Sequence, residues 1–204
     1  MDTNEMAQEI IKLKDQDLAY RSRLLREGKL GEGYHPEMAR VHLRNAEALD
    51  AIIASAGYPT PDKVGEEASE AAWLIIQHAI ASPQFMRKCR RLLAEAVREG
   101  KSDPKHLAYL TDRIAMLEGK PQRYGTQFDW DENGMLSPSY FDDLNAVNRR
   151  RKALGFGTLE EQTELIRARA AREKQTPPAH PEKRKREFEE WRKKMGWTAG
   201  EGSS

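Results

Sequence analysis

Apolar residues recur every three or four positions in segment after segment of this chain, and proline, glycine or a capping residue stands at the segment ends. That spacing is the helical one, and its repetition leaves little room for extended sheet. Thr3 reads as the cap of a first helix running to about Arg26, with Met6, Ile10, Leu13 and Leu24 on one stripe. Pro36 suits the first turn of a second helix carrying Met38, Val41, Leu49 and Ile52. After the turn Gly57-Tyr58-Pro59-Thr60-Pro61, the spacing predicts a third helix from Asp62 to Ala81, with Val64, Ala68, Ala71 and Ile75 on one side. Ser82-Pro83 reads as a cap and first residue of a fourth helix, bearing Phe85, Cys89, Leu92 and Ala96. Ser102-Asp103-Pro104 repeats that grammar for a fifth, with Leu107, Leu110, Ile114 and Leu117. A sixth carries Leu144, Val147 and Leu154, and the capping-box pattern Thr158-Leu159-Glu160-Glu161 opens a seventh. The expected fold is all-α, a single helical bundle domain over 1–174 built from about six to seven helices.

From Lys120 to Pro138 the periodicity lapses around Gly125 and Gly134, leaving a loop long enough to carry function. Residues 175–204 read as a linker from Gln175 to Pro181, a charged helix from Glu182 to Trp197, and a frayed end from Gly200 to Ser204. Phe188, Trp191 and Met195 give that last helix only a thin apolar seam.

With 34 basic and 33 acidic residues the net charge is +1, so no overall field steers the chain to nucleic acid or an anionic membrane. Nucleic acid is not an expected partner, because Glu187, Glu189 and Glu190 interrupt the basic run Lys183-Arg184-Lys185-Arg186. No stretch approaches the roughly 18 apolar residues of a membrane span, and Met1-Asp2-Thr3-Asn4-Glu5 does not open like a secretion signal. Cys89, without an intramolecular partner, reads as a core thiol in a reducing, cytoplasmic setting. Nothing in the sequence speaks to the oligomeric state.

Asp17, Asn45, His78, Arg113 and Arg151 each interrupt an otherwise apolar helix face. An unpaired buried polar group costs about 1–3 kcal/mol, so such interruptions are economical when they meet one another, water or a ligand. A polar pocket is expected, and a structural hydrogen-bond network is the other reading. His78 suits acid/base chemistry, since an imidazole ordinarily titrates near neutral pH. Asp112 or Asp17 would orient it, while Arg113 and Arg151 would grip an anionic group through paired N–H donors. Gln77 and the loop residues Gln122, Tyr124, Thr126 and Gln127 offer further donors and acceptors, with Gly125 letting the backbone turn among them. The expected catalytic set is His78, Asp112 and Tyr124, and the expected substrate-binding set is Asp17, Asn45, Gln77, Arg113, Gln122, Thr126, Gln127 and Arg151.

No metal or other cofactor is expected. The histidines lack metal spacing, and one cysteine forbids a CxxC pair. Glu66, Glu67 and Glu70 have no second acidic pair to share a magnesium ion, and glycine-rich nucleotide loops are absent. The expected function is a small, metal-independent enzyme catalysing hydrolysis or group transfer on a polar, anionic metabolite or peptide-like substrate. The alternative is a non-catalytic ligand-binding or protein-interaction module with a structural polar core.

Several of these residues also fall into a shared pattern: Gly57-Tyr58-Pro59, the helix Trp73 to Gln77-His78, Asp112-Arg113, and the loop Gly119 to Gln122-Arg123-Tyr124-Gly125-Thr126-Gln127. With Arg150-Arg151 ahead of Leu154-Gly155, they resemble an uncharacterised bacterial family of domains of unknown function that carries W-x-x-x-Q-H and Q-x-Y-G-T-Q motifs. The resemblance covers the stretch from about Gly57 to Leu159 and, more loosely, the region from Asp15-Gln16-Asp17. It implies that these positions belong together, and it implies no reaction.

Overall fold

The computed structural model describes residues 2–28 and 34–198, and over these the chain is predominantly helical. Residues 29–33, and the end expected to fray, residues 200–204, lie outside the described residues. The chain divides into two compact units, Met1–Leu107 and Ala108–Ser204. No helix among the described residues is long and apolar enough to cross a membrane.

In the first unit, α1 (Thr3–Arg26) is capped by Asp2, one residue before the expected Thr3. The Asp2 carboxylate accepts from the Glu5 amide while the Glu5 side chain accepts from the Asp2 amide, so two otherwise orphaned donors are satisfied together. Helix α2 (Pro36–Ala56) begins at proline behind His35, whose ring nitrogen accepts from the Glu37 amide. The single helix expected from Asp62 to Ala81 is instead a short α3 (Pro61–Val64) and a longer α4 (Glu66–His78), divided at Gly65. Gly65 has φ +80°, a conformation no helix accommodates and that glycine adopts without a Cβ penalty. Helix α5 (Pro83–Arg98) starts at Pro83 as expected, although the Ser82 side chain makes no capping bond. It turns Leu93 rather than Leu92 fully inward.

Helix α4 packs on both α1 and α2, which also pack on each other, and α5 packs on α4. Ile10, Leu49, Ile75, Ile76, Met86 and Leu93 are sealed in this interior. Each such aliphatic side chain contributes about 1.5–3 kcal/mol by leaving water. The unit is thus held by interlocking apolar stripes, and any polar group on them needs a partner.

The point of division falls in α6 (Pro104–Leu117). The second unit continues through β1 (Phe128–Trp130), β2 (Leu136–Pro138), α7 (Leu144–Ala153), α8 (Leu159–Arg172) and α9 (Pro181–Met195). The segment expected to be an open loop contains an antiparallel hairpin pairing Phe128 with Pro138, Asp129 with Ser137 and Trp130 with Leu136. Its turn is built by Asp131, whose carboxylate accepts from the Asn133 and Met135 amides, and by Gly134 at φ +69°. Helix α8 packs on β2 and α7, and the expected capping box of Thr158 with Glu161 is formed. Helix α9 buries none of its residues, but Trp197 just beyond it is 3% exposed.

Candidate active site

Asp17 lies two-thirds of the way along α1, on the same face as the buried Leu13 and Leu24. At 1% exposure its carboxylate has no access to water, and desolvation alone would push its pKa up. Hydrogen bonds and charge from two imidazoles outweigh that cost and hold it well below the usual carboxylate range. His78 Nδ1 stands 2.7 Å from Asp17 Oδ2, and His42 Nε2 stands 3.3 Å from Asp17 Oδ1. The carboxylate is ionised and accepts from both rings.

The local folding explains this meeting. His78 is the last residue of α4, and α4 is packed along α1. His42 lies four residues after Met38 and seven before Leu49 on α2, within that helix's buried stripe. The two imidazole rings face each other with centroids 4.9 Å apart and a 38° tilt. On its outer side, His42 Nδ1 is 2.7 Å from the Tyr34 hydroxyl, and the two rings stack at 5.6 Å. Burial raises the Tyr34 phenol above its usual range, so the hydroxyl keeps its proton. His42 is 9% exposed, while the His78 side chain is 24% exposed. Of the two rings on the carboxylate, His78 is the more open to solvent.

Of the two carboxylates considered as orienters of His78, Asp17 is the one within hydrogen-bond distance. Asn45, one turn beyond His42, donates to the Leu13 carbonyl, one turn before Asp17. Its Oδ1 is buried with no hydrogen-bond partner among the described residues. Gln77 is buried at 4% exposure beside His78. Sequence reading passed over His42 and Tyr34. For His42 the signal was present in its spacing from Met38, Asn45 and Leu49, whereas Tyr34 precedes its helix and shows no periodic signal.

Within the second unit, Asp112 is fully buried on α6 and organises the loop that follows. Its Oδ1 accepts from the Arg123 and Tyr124 amides, and its Oδ2 from the Tyr124 and Thr126 amides and the Thr126 hydroxyl. Burial pushes this carboxyl's pKa up, against the opposing pull of those donors. Gln122 is equally engaged: its amide group donates to the Gln127 and Ser139 carbonyls while its oxygen accepts from the Gln127 amide. Gln127 in turn donates its side-chain amide to the Thr126 hydroxyl. Arg151 donates to the Gly157 and Tyr124 carbonyls, and Arg150 forms a two-pronged bond with Asp142. Arg113 sits on α6, where burial lowers its guanidinium from the usual range. Asp112, Gln122 and Arg151 thus bond chiefly to the backbone of their own unit and shape its loop, while the Thr126 hydroxyl links the Asp112 carboxylate to the Gln127 side chain.

Asp17, His42 and His78 also form the one group of histidine, cysteine or acidic side chains among the described residues that could hold a metal ion, their nearest ligand atoms all lying within 4.8 Å of one another. A tetrahedral ion with bonds of about 2.0–2.2 Å needs its donors spread wider than the 2.7 Å Asp17–His78 pair. The spacing as it stands is that of hydrogen bonds.

No curated protein and no solved structure matches this chain. A match does extend over residues 4–172, taking in Asp17, His42, His78 and the Asp112-anchored loop. The chain belongs to the family of unknown function DUF6624.

Proposed function

We propose that the first unit carries a metal-independent acid/base centre, with His78 as the proton-transferring group and Asp17 as its orienter, serving hydrolysis or group transfer on a polar metabolite or peptide-like substrate. The observation that carries this reading is the 2.7 Å contact between the ionised, buried Asp17 and Nδ1 of a partly exposed histidine. A carboxylate on Nδ1 fixes that proton in place and leaves Nε2 with its lone pair. Nε2 then takes a proton from an attacking water or substrate hydroxyl as the new bond to a carbonyl carbon forms. The imidazolium is stabilised by Asp17 and returns the proton to the leaving group as the old bond breaks.

A thermal-shift and turnover screen of carboxylated metabolites and short peptides, run on wild type, His78→Gln and Asp17→Asn, tests the reading. We expect compounds that raise the wild-type midpoint, since binding to the native state stabilises it. At least one of these is consumed by wild type and left intact by both variants. Binding without consumption by any of the three proteins would make this a ligand-binding module instead. A stoichiometric gain in stability from zinc that requires Asp17, His42 and His78 would replace the proton-transfer centre with a metal centre.

A further inference from the structure

We infer that His42, with its Nδ1 held by the Tyr34 hydroxyl, is a positioning residue that locks the Asp17 carboxylate so that His78 keeps its proton on Nδ1 and presents a bare Nε2. The inference rests on the reading of His78 as the proton-transferring group.

The hydrogen-bond directions are determined by elimination. Asp17 is ionised and can only accept. The Tyr34 hydroxyl retains its proton and stands 2.7 Å from His42 Nδ1. Asp17 Oδ1 faces His42 Nε2 at 3.3 Å, so that nitrogen carries a proton, and in the neutral ring Nδ1 is then the acceptor for the Tyr34 O–H. His78 meets the other carboxylate oxygen through Nδ1, so its proton is on the opposite kind of nitrogen from that of His42. The array predicts two histidines in two different tautomers, sharing one anion.

The arrangement has a second consequence. With ring centroids 4.9 Å apart, two imidazolium ions would repel strongly in an interior that screens poorly. Asp17 Oδ2, 2.7 Å from His78 Nδ1, is placed to balance the charge that His78 gains when it accepts a proton. Without the second ring, Asp17 would be held from one side only. Its free oxygen would be a buried, unsatisfied acceptor, and the carboxylate could rotate away from His78.

Long-range proton–nitrogen correlation spectra of the nitrogen-15-labelled full chain distinguish the two neutral tautomers directly. In wild type we expect His78 protonated on Nδ1 and His42 on Nε2. His42→Ala should convert His78 to a mixture in which the Nε2-protonated form is at least as abundant. His42→Gln should restore the wild-type His78 pattern, since a glutamine amide can donate to Asp17 from about the place of imidazole Nε2. Tyr34→Phe, which removes a single oxygen, should leave His78 unchanged in kind and His42 still protonated on Nε2, since Asp17 still accepts from that nitrogen. If His42→Ala loses native dispersion, the Tyr34→Phe and His42→Gln spectra decide the matter. A wild-type His78 pattern persisting in folded His42→Ala, a His42 protonated on Nδ1 alone in Tyr34→Phe, or failure of rescue by folded His42→Gln would overturn the positioning role alone. A wild-type His78 protonated on Nε2 would overturn the proposed proton-transfer function as well.

Discussion

Asp17 Oδ2 and His78 Nδ1 are 2.7 Å apart although 61 positions separate the two residues in the chain, and the contact exists because α4 lies along α1. The pair is both the centre of the proposed chemistry and a folding contact. Its pH dependence follows from the sign of the Asp17 shift. The native carboxyl is held below its unfolded value of about 3.9, so its stabilisation is complete above that value. Stability is lost as pH falls below about 4 and continues to fall toward the native pKa. Asp17→Asn should lower stability near neutral pH by about 1–3 kcal/mol and flatten the acid limb of the stability curve. Urea denaturation at a series of pH values measures both. An unchanged acid limb in the variant would show that Asp17 carries no such linkage. The raised carboxyl of Asp112 has the opposite sign, favouring the native state as pH falls through the range between its native and unfolded values, so single variants are needed to separate the two.

Asp112 gives a sharper test of what the conspicuous loop is for. Every partner it has donates to it, three backbone amides and one hydroxyl. Asp112→Asn would turn an NH2 group toward some of these donors, and we expect a loss of about 1–3 kcal/mol. Thr126→Val, which removes the hydroxyl's bond to Asp112 and the one it accepts from the Gln127 side chain, should cost about 1–2 kcal/mol. Hydrogen exchange should accelerate at the Arg123, Tyr124 and Thr126 amides in Asp112→Asn. Unchanged exchange at all three would refute the anchoring role.

How far the sequence discloses this protein depends on which physical signal a residue leaves. Helix faces are legible because apolar burial imposes a 3.6-residue period, and Asp17, Asn45 and His78 stand out as breaks in it. The division at Gly65 leaves no such break, since Val64 and Ala68 keep the helical spacing across it, and only the backbone angle separates α3 from α4. His42 was masked by its neighbour Val41, which fills the apolar pattern one position earlier. The loop motif Gln122-Arg123-Tyr124-Gly125-Thr126-Gln127 is rich in hydrogen-bonding groups, as a binding site or a tightly braced turn would be. Composition alone does not tell those apart. The pairing of Asp112 with loop amides eleven to fourteen residues away does.

Gly125 marks where that bracing meets the packing of α8. Its φ is +63°, and a Cβ added there would stand 2.6 Å from Leu159 Cδ1, the side chain that opens α8 and is 2% exposed. Gly125→Ala should therefore cost about 1–3 kcal/mol, combining left-handed strain with overpacking. Leu159→Ala alone should cost about 2–5 kcal/mol for its cavity. In the double variant the steric part disappears, so the combined loss should be smaller than the sum of the two single losses. Strict additivity in a denaturation cycle would show that Leu159 does not confine this glycine.

Helix α9 lies beyond the residues that match the family, yet the second unit uses it. Arg192 Nη1 donates at 3.2 Å to the Leu117 carbonyl, an acceptor left open where α6 ends, and at 3.5 Å to the Met116 carbonyl, which also accepts from the Gly119 amide. A cation at a helix C-terminus also interacts favourably with the helix dipole. Farther along, Arg184 pairs with Asp129 on the hairpin, and Trp197 is buried after the helix ends at Gly196. The apolar seam of α9 buries nothing fully, so attachment by a few polar bonds and one tryptophan is what holds it. Arg192→Met keeps most of the side-chain bulk and removes the donors, and should cost about 1 kcal/mol. Trp197→Ala should cost about 3–5 kcal/mol of local stability, seen as faster hydrogen exchange throughout Pro181–Met195. Protection of α9 amides unchanged in both variants would mean that neither residue anchors the helix.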